Sequence, residues 1–385
     1  MLAMLVACRT GLGFQFQALG SVSGPLIAEL GLSYAQIGSL IGFFMLPGLV
    51  LALPAGYAGR FLSDRALVAI GMLALGAGGA LAAVAEGFGL LALGRIVSGI
   101  GFVLSTIYFA KMVADWFSGR ELATAMGLLV MSWPFGIAMS QIGHVWIAAN
   151  FDWRTALSVA AAYCAAGAAV VAWLYRPAAR ASPPQDAARV GLPRHELVLT
   201  LLAAAVWGFF NAGYVVYLSF APRVLMEGGY GPAQAAAVIS IASWVMIFSG
   251  AICGQISDRI GKRDPILYVC LAVAVLALLL SRETSAAVAL SLMFGLVGTS
   301  PAGIIMALTG EAMAPQRRAF GMGVFFSFYF VLVALAPPLA GWLYDRGGDP
   351  YWPILFAAFL FACTALSNLA FRIAQAIFAA RPAAH

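Results

Sequence analysis

Charge is what this chain of 385 residues has least of: Asp, Glu, Lys and Arg together make up 9% of it, against roughly 25% in a soluble domain. With 63% hydrophobic residues, it has too little polar surface for an ordinary soluble fold and reads as a polytopic helical membrane protein. No carboxylate falls in the middle of an apolar run. Glu29, Glu86, Asp152, Glu227 and Glu283 lie near one set of loops, and Asp64, Asp115, Glu121, Asp258 and Glu311 near the other. That weakens a carboxylate proton relay and argues against an exporter of organic cations. His144, His195 and His385 are far apart, and there is no H-E-x-x-H helix, nucleophile–base pair or P-loop. Intramembrane enzymes and self-contained ATP-driven pumps are thereby excluded. Cys8, Cys164, Cys253, Cys270 and Cys363 all lie inside apolar runs without metal-ligand spacing, so neither a disulfide framework, a metal site nor a cofactor is expected. The longest polar loop, about 20 residues, is too short for the signalling domain of a membrane sensor. Met1 runs almost directly into a span, so no cleavable signal peptide is expected.

What the chain does have is apolar stretches long enough to cross ~30 Å of hydrocarbon. They fall at about 2–24, 35–58, 66–85, 88–112, 121–147 and 154–175, then at 197–221, 233–256, 265–281, 286–310, 319–343 and 352–374. An all-α membrane protein of twelve helices in two sets of six follows. The segment 176–196 carries Pro177, Pro183, Pro184 and Pro193 and four arginines. It is the expected linker between an N-terminal bundle (1–175) and a C-terminal bundle (197–385). Of 21 Lys and Arg, Arg9 and Arg95 lie within spans, and Arg154, Arg223, Arg282 and Arg346 fall in outer loops. The other fifteen are cytoplasmic if the N-terminus is, which predicts both termini inside. The basic excess is therefore a topology signal, and no nucleic-acid partner is expected. Cap signals stand at Ser118…Glu121, Asp152, Pro232 and Asp264-Pro265. Gly56 and Gly254, Met126-Gly127 and Met322-Gly323, and Trp153 and Trp352 recur at nearly one offset, as in a duplicated transporter with its site between the repeats.

Between two apolar runs, residues 254–263 read Gly-Gln-Ile-Ser-Asp-Arg-Ile-Gly-Lys-Arg, a tight interfacial hairpin. Gly254 is expected to let a helix end pack closely, and Asp258 to lie near the start of the next helix, where the macrodipole favours an acid. The pattern G-x-x-x-D-R-x-G-K-R resembles the signature loop of the major facilitator superfamily of secondary transporters. Arg95-Ile-Val-Ser-Gly99-Ile-Gly101 looks like the family's R-x-x-x-G-x-G element, and Gly127…Pro134-Phe-Gly136 weakly echoes its antiporter signature. The resemblance implies two six-helix bundles related by a pseudo-two-fold axis. It also implies a central cavity lined by the first, fourth, seventh and tenth helices, and a gating role for Gly254, Asp258, Arg259, Gly261 and Arg263. In the first-half loop, Arg60 stands where an Asp is expected and Asp64-Arg65 comes four residues later, so gating by Asp64 and Arg65 matches only partly. Phe14-Gln-Phe-Gln17, Met45-Leu-Pro-Gly48 and Lys111-Met-Val-Ala-Asp-Trp-Phe117 are most similar to the bacterial cyanate/nitroimidazole-type and nitrate/nitrite-related branches. Nitrate porters use arginines in the second and eighth spans, and neither span here has one. The implied location is a bacterial inner membrane.

A charge inside a span costs at least about 2.5 kcal/mol, so Arg9 and Arg95 each call for a partner or a cavity. At 100° per residue, Gly13, Phe16, Gly20 and Ser23 share the face of Arg9 with Gln17 at its flank, and Gly99, Phe102 and Thr106 share that of Arg95. The alternatives are a snorkelling Arg9 and an Arg95 that serves helix packing. Lys111 is expected as an interfacial anchor, and His144 as an interfacial histidine. The seventh span adds Trp207, Asn211, Tyr214 and Tyr217, and the tenth Thr299-Ser300-Pro301, whose proline frees a backbone carbonyl. Candidate solute contacts are thus Arg9, Gln17, Arg95, Thr106, Asn211, Tyr214 and Thr299. An arginine cavity without carboxylates favours a small anion. The function expected is secondary active transport of such a solute by alternating access, by a monomer in the lipid bilayer, with protons as a candidate coupling ion. The rival is a proton-coupled exporter of drugs or hydrophobic solutes.

Overall fold

The computed structural model describes residues 1–117, 120–177 and 191–380. Ser118 of the expected capping box and most of the linker 176–196 lie outside that set. The described residues form helices and no strand. The first span (Leu2–Ser21) breaks at Val22 and continues as Ser23–Leu30. The next five are Tyr34–Tyr57, Asp64–Ala83, Phe88–Trp116, Arg120–Asn150 and Trp153–Leu174. The seventh to ninth are Arg194–Glu227, Pro232–Ile260 and Arg263–Leu279. The tenth is broken: Ala287–Met293, a π-turn at Phe294–Gly298, and Ala302–Ala312. Arg318–Gly347 and Tyr351–Ala380 complete the twelve, in two six-helix bundles. Eleven are long and apolar enough to cross a membrane; the ninth, at 17 residues, sits at the lower limit. Val50, Trp173, Phe248 and Leu366 are exposed, as side chains facing lipid must be, so small residues draw the helices together.

Among the described residues, the halves meet chiefly through two helix pairs, the second with the eleventh and the fifth with the eighth. The first pair touches backbone to backbone. A Cβ on Gly38 would stand 2.1 Å from the Pro337 carbonyl oxygen, and one on Gly341 2.0 Å from that of Tyr34. At the end of the bundle away from the termini, the Asp345 carboxylate accepts from the Tyr34 and Ala35 backbone N–H groups at 2.9 and 2.8 Å. It thereby caps the second helix from the other half, and the Tyr34 and Tyr344 rings stack at 3.8 Å.

Several local expectations are met and others are corrected. Asp152 caps the sixth span through Thr155 N, and Pro232 opens the eighth. Asp264 lies inside the ninth helix rather than capping it; its carboxylate bonds Arg372 and Asn368 instead. No atom lies near a Cβ built on Gly254, so this glycine does not serve close packing. Gly261 is the residue that needs to be glycine, since it ends the eighth helix in the left-handed region at φ 71°. Asp258 lies in the last turn of the eighth helix, where the macrodipole disfavours an acid, and Arg263 across the turn pairs with it at 3.4 Å.

Candidate solute-binding cavity

The structure places the candidate residues in three different settings. Arg95 is 2% exposed and fully engaged in packing. Its Nε donates to the Leu40 carbonyl oxygen at 3.0 Å, Nη1 to that of Gln15 at 3.2 Å and Nη2 to that of Phe16 at 3.0 Å. The guanidinium also lies 4.5 Å from the centre of the Phe44 ring. One side chain thus ties the fourth helix to the first and second through carbonyls that also serve their own helices. Arg9 is half-buried and donates to the Leu129 carbonyl and to Ser132 Oγ at 2.9 Å, both on the fifth helix. The middle of its face is closed, with Gly13 against the Trp133 backbone and the Phe16 ring on Trp133 and Phe44, whereas Gly20 and Ser23 further along border open space.

Thr299 is buried in the break of the tenth span and donates to the Gly295 carbonyl oxygen at 3.0 Å. Tyr214 pairs its hydroxyl with Ser243 Oγ at 2.8 Å, joining the seventh and eighth helices. Half-buried Asn211 bonds back to the Trp207 carbonyl, and Thr106 Oγ1 is buried without a partner. His144, near the C-terminal end of the fifth helix, is buried within the bundle, with Nδ1 2.7 Å from Ser140 Oγ and its ring against Phe14. Of the gating candidates, Asp64 pairs with Lys111, which also reaches Asp115 at 3.2 Å, while Arg65 and Arg259 are exposed. Arg263 also approaches Glu311 at 3.8 Å. The structure therefore does not gather Arg9, Arg95, Thr106, Asn211, Tyr214 and Thr299 into one cluster.

Gln17 alone of that set borders an open volume of about 310 Å³ lying between the halves toward the end away from the termini. The first and fifth helices wall it from one half and the seventh and eighth from the other. Its walls are mostly apolar, including Val145, Ala148, Leu218 and Met226, and its polar liners are Gln17, Ser21, Ser23, Gln141 and Ser219. The one charged liner is Arg223 of the seventh helix. Its side chain crosses the seam between the halves. Nη2 lies 3.0 Å from where a Gly24 Cβ would stand, and the guanidinium sits 5.6 Å from the centre of the Tyr34 ring. Arg223 pairs with no carboxylate among the described residues, Glu227 one turn further on included. A guanidinium with its donors unspent, at the rim of an apolar cavity, is a receptor for a carboxylate or similar anion.

Comparison with known proteins fits this architecture. The model of the Major Facilitator Superfamily matches residues 5–282. The 3-(3-hydroxy-phenyl)propionate transporter of Escherichia coli (strain K12) is 24% identical over 88% of this chain and 85% of its own. The 2-nitroimidazole transporter of the same organism is 25% identical over 96% and 94%. A bacterial homolog of the human lysosomal transporter Spinster, solved in an inward-facing and occupied conformation, superposes with a TM-score of 0.69 at 17% identity, covering 98% of this chain and 95% of that one. With the family model spanning most of the chain and the twelve-helix fold in place, this protein belongs to the Major Facilitator Superfamily and is a membrane transporter, not an enzyme.

Proposed function

We propose that this chain is a secondary active transporter of a small organic anion, working by alternating access in a bacterial cytoplasmic membrane with both termini inside. The observation that carries the reading is Arg223, the one charge on a cavity between the halves, reaching from one half to the other without an acid partner. A lone cation in such a place prefers an anionic ligand, and Coulomb attraction is stronger there than in water. Because it spans the seam, an anion bound to Arg223 contacts both halves, so binding and closure are linked. The relatives named as carriers of a phenylpropionate and of monocarboxylates are consistent with a carboxylate. The basic bias of the loops on the termini side supports the orientation. Each chain holds both bundles, so a monomer suffices, with protons as the candidate coupling ion.

Uptake into proteoliposomes tests this. The panel is 3-phenylpropionate, hexanoate, nitrate and one lipophilic cation, each with and without a pH gradient. At least one carboxylate should accumulate, and Arg223→Gln should lower its uptake efficiency about 30-fold, the equivalent of about 2 kcal/mol for a charge-assisted contact. Movement of the cation alone would favour the drug-exporter reading.

A further inference from the structure

Gln17 and Gln141 are 3% and 2% exposed, inside the membrane-crossing part of the bundle. Gly13 packs against Trp133 and Ile137, and Gly136 against Thr10 and Phe14. The first and fifth helices run parallel, so one turn further along this register sets Gln17 beside Gln141. Both belong to the cavity-lining faces, since 17, 20, 21 and 24 and likewise 141, 145 and 148 follow the helical step. Neither polar atom of the Gln141 amide has a hydrogen-bond partner, and neither does Ser21 Oγ one turn on. A buried amide left unpaired is costly, most of all where lipid surrounds the bundle and water does not compete. Arg223 lies at the level of Gly24, seven residues and so about 10 Å further along the axis.

We infer that Gln17, Gln141 and Ser21 select the solute: the transported anion carries an uncharged hydrogen-bonding group, a hydroxyl or a carbonyl, at the end opposite the carboxylate held by Arg223. This rests on the anion reading above. The distal group is uncharged because an amide offers dipoles but no countercharge. A second ionised group at that depth would lose its hydration with nothing to replace it. The stretch between the two polar ends is apolar, to match Val145, Ala148 and Leu218. A site built to bond such a group rejects the analogue that lacks it, because its own polar atoms then stay unpaired.

Binding of hexanoate, 6-hydroxyhexanoate and adipate to the full-length protein in nanodiscs provides the test, using the unmodified chain, Gln141→Leu, Gln17→Leu and Arg223→Gln. The hydroxy acid should bind about tenfold more tightly than hexanoate, the worth of one net buried hydrogen bond, and more tightly than adipate. Either Gln variant should reduce that preference below about threefold, the hydroxy acid losing affinity and hexanoate keeping or gaining it once the unpaired amide is gone. Should one Gln variant fail to stay monodisperse, the other reads the same preference alone. Equal affinity for the two monoacids, as expected if water simply fills the cavity, overturns the inference but leaves the anion reading intact. So does a preference unchanged in both Gln variants, or adipate binding best. Hexanoate binding unaffected by Arg223→Gln overturns the anion reading and this inference with it.

Discussion

Arg95 shows how a charge is held inside a membrane bundle without an acid: three of its nitrogens donate to backbone carbonyls of two neighbouring helices. Lysine presents a compact ammonium that cannot reach three diverging carbonyls. Arg95→Lys is therefore expected to lower the melting temperature in detergent by roughly 5 °C or more, on the order of 2 kcal/mol, with little change in solute affinity; a melting curve with bound and free solute checks both. Beyond Ser21, where the membrane-crossing run of the first helix ends, the Arg154 guanidinium, with the Trp153 indole N–H, holds the Glu29 carboxyl below the usual carboxylate range near 4.5. A depressed pKa adds stability that is present above the unfolded value and lost as pH falls through the folded one. Melting temperature should thus fall on acidification below about pH 4.5, and less steeply in Glu29→Gln. Arg9 and Arg95 were legible in the sequence because any charge in an apolar run stands out, but their carbonyl partners are not, since every helix offers the same backbone. Arg223 falls past the end of the apolar run 197–221 and so reads as a loop residue, yet the seventh helix continues through Pro222 to Glu227, which turns it into one that lines the cavity.

At the scale of elements, the contact between the second and eleventh helices carries the strongest constraint. Gly42 leaves no room for a methyl group, since a Cβ there would stand 2.1 Å from the Ala334 carbonyl oxygen, and Asp345 caps the second helix from the opposite half. Loss of a cap costs about 1 kcal/mol, enough to shift a balanced pair of states about fivefold. In a background without the native cysteines, Ala148→Cys reports on the cavity. Its reaction with an impermeant maleimide is expected to speed up several-fold when Asp345→Ala or Gly42→Ala is added. An unchanged rate would mean that this contact does not hold that end of the bundle shut. The helices themselves were legible from run length, and the Asp152 and Pro232 starts from cap chemistry. The π-turn of the tenth span was not, because Phe294–Gly298 has the composition of an ordinary apolar helix and only packing at Thr299 shows the slip. Pro301 hinted at a break but not at its kind.

For the molecule as a whole, twelve crossings were legible because membrane thickness fixes the length of each run; the family was legible from the loop at 254–263. Where the cavity lies was not, since it depends on which ends of the halves meet. The orientation is checkable: a fluorescent protein fused after His385 should fluoresce in cells, while cysteines placed at Arg282 or Arg346 should react with impermeant reagents from outside. A carrier that alternates around an anion held by Arg223 must show entrance counterflow. Proteoliposomes preloaded with unlabelled 3-phenylpropionate or 6-hydroxyhexanoate receive a trace of the labelled acid outside, with no ion gradient. The native chain should give a transient overshoot of label, and Arg223→Gln should abolish it. Label that merely equilibrates, or an overshoot that Arg223→Gln leaves intact, would contradict such a carrier.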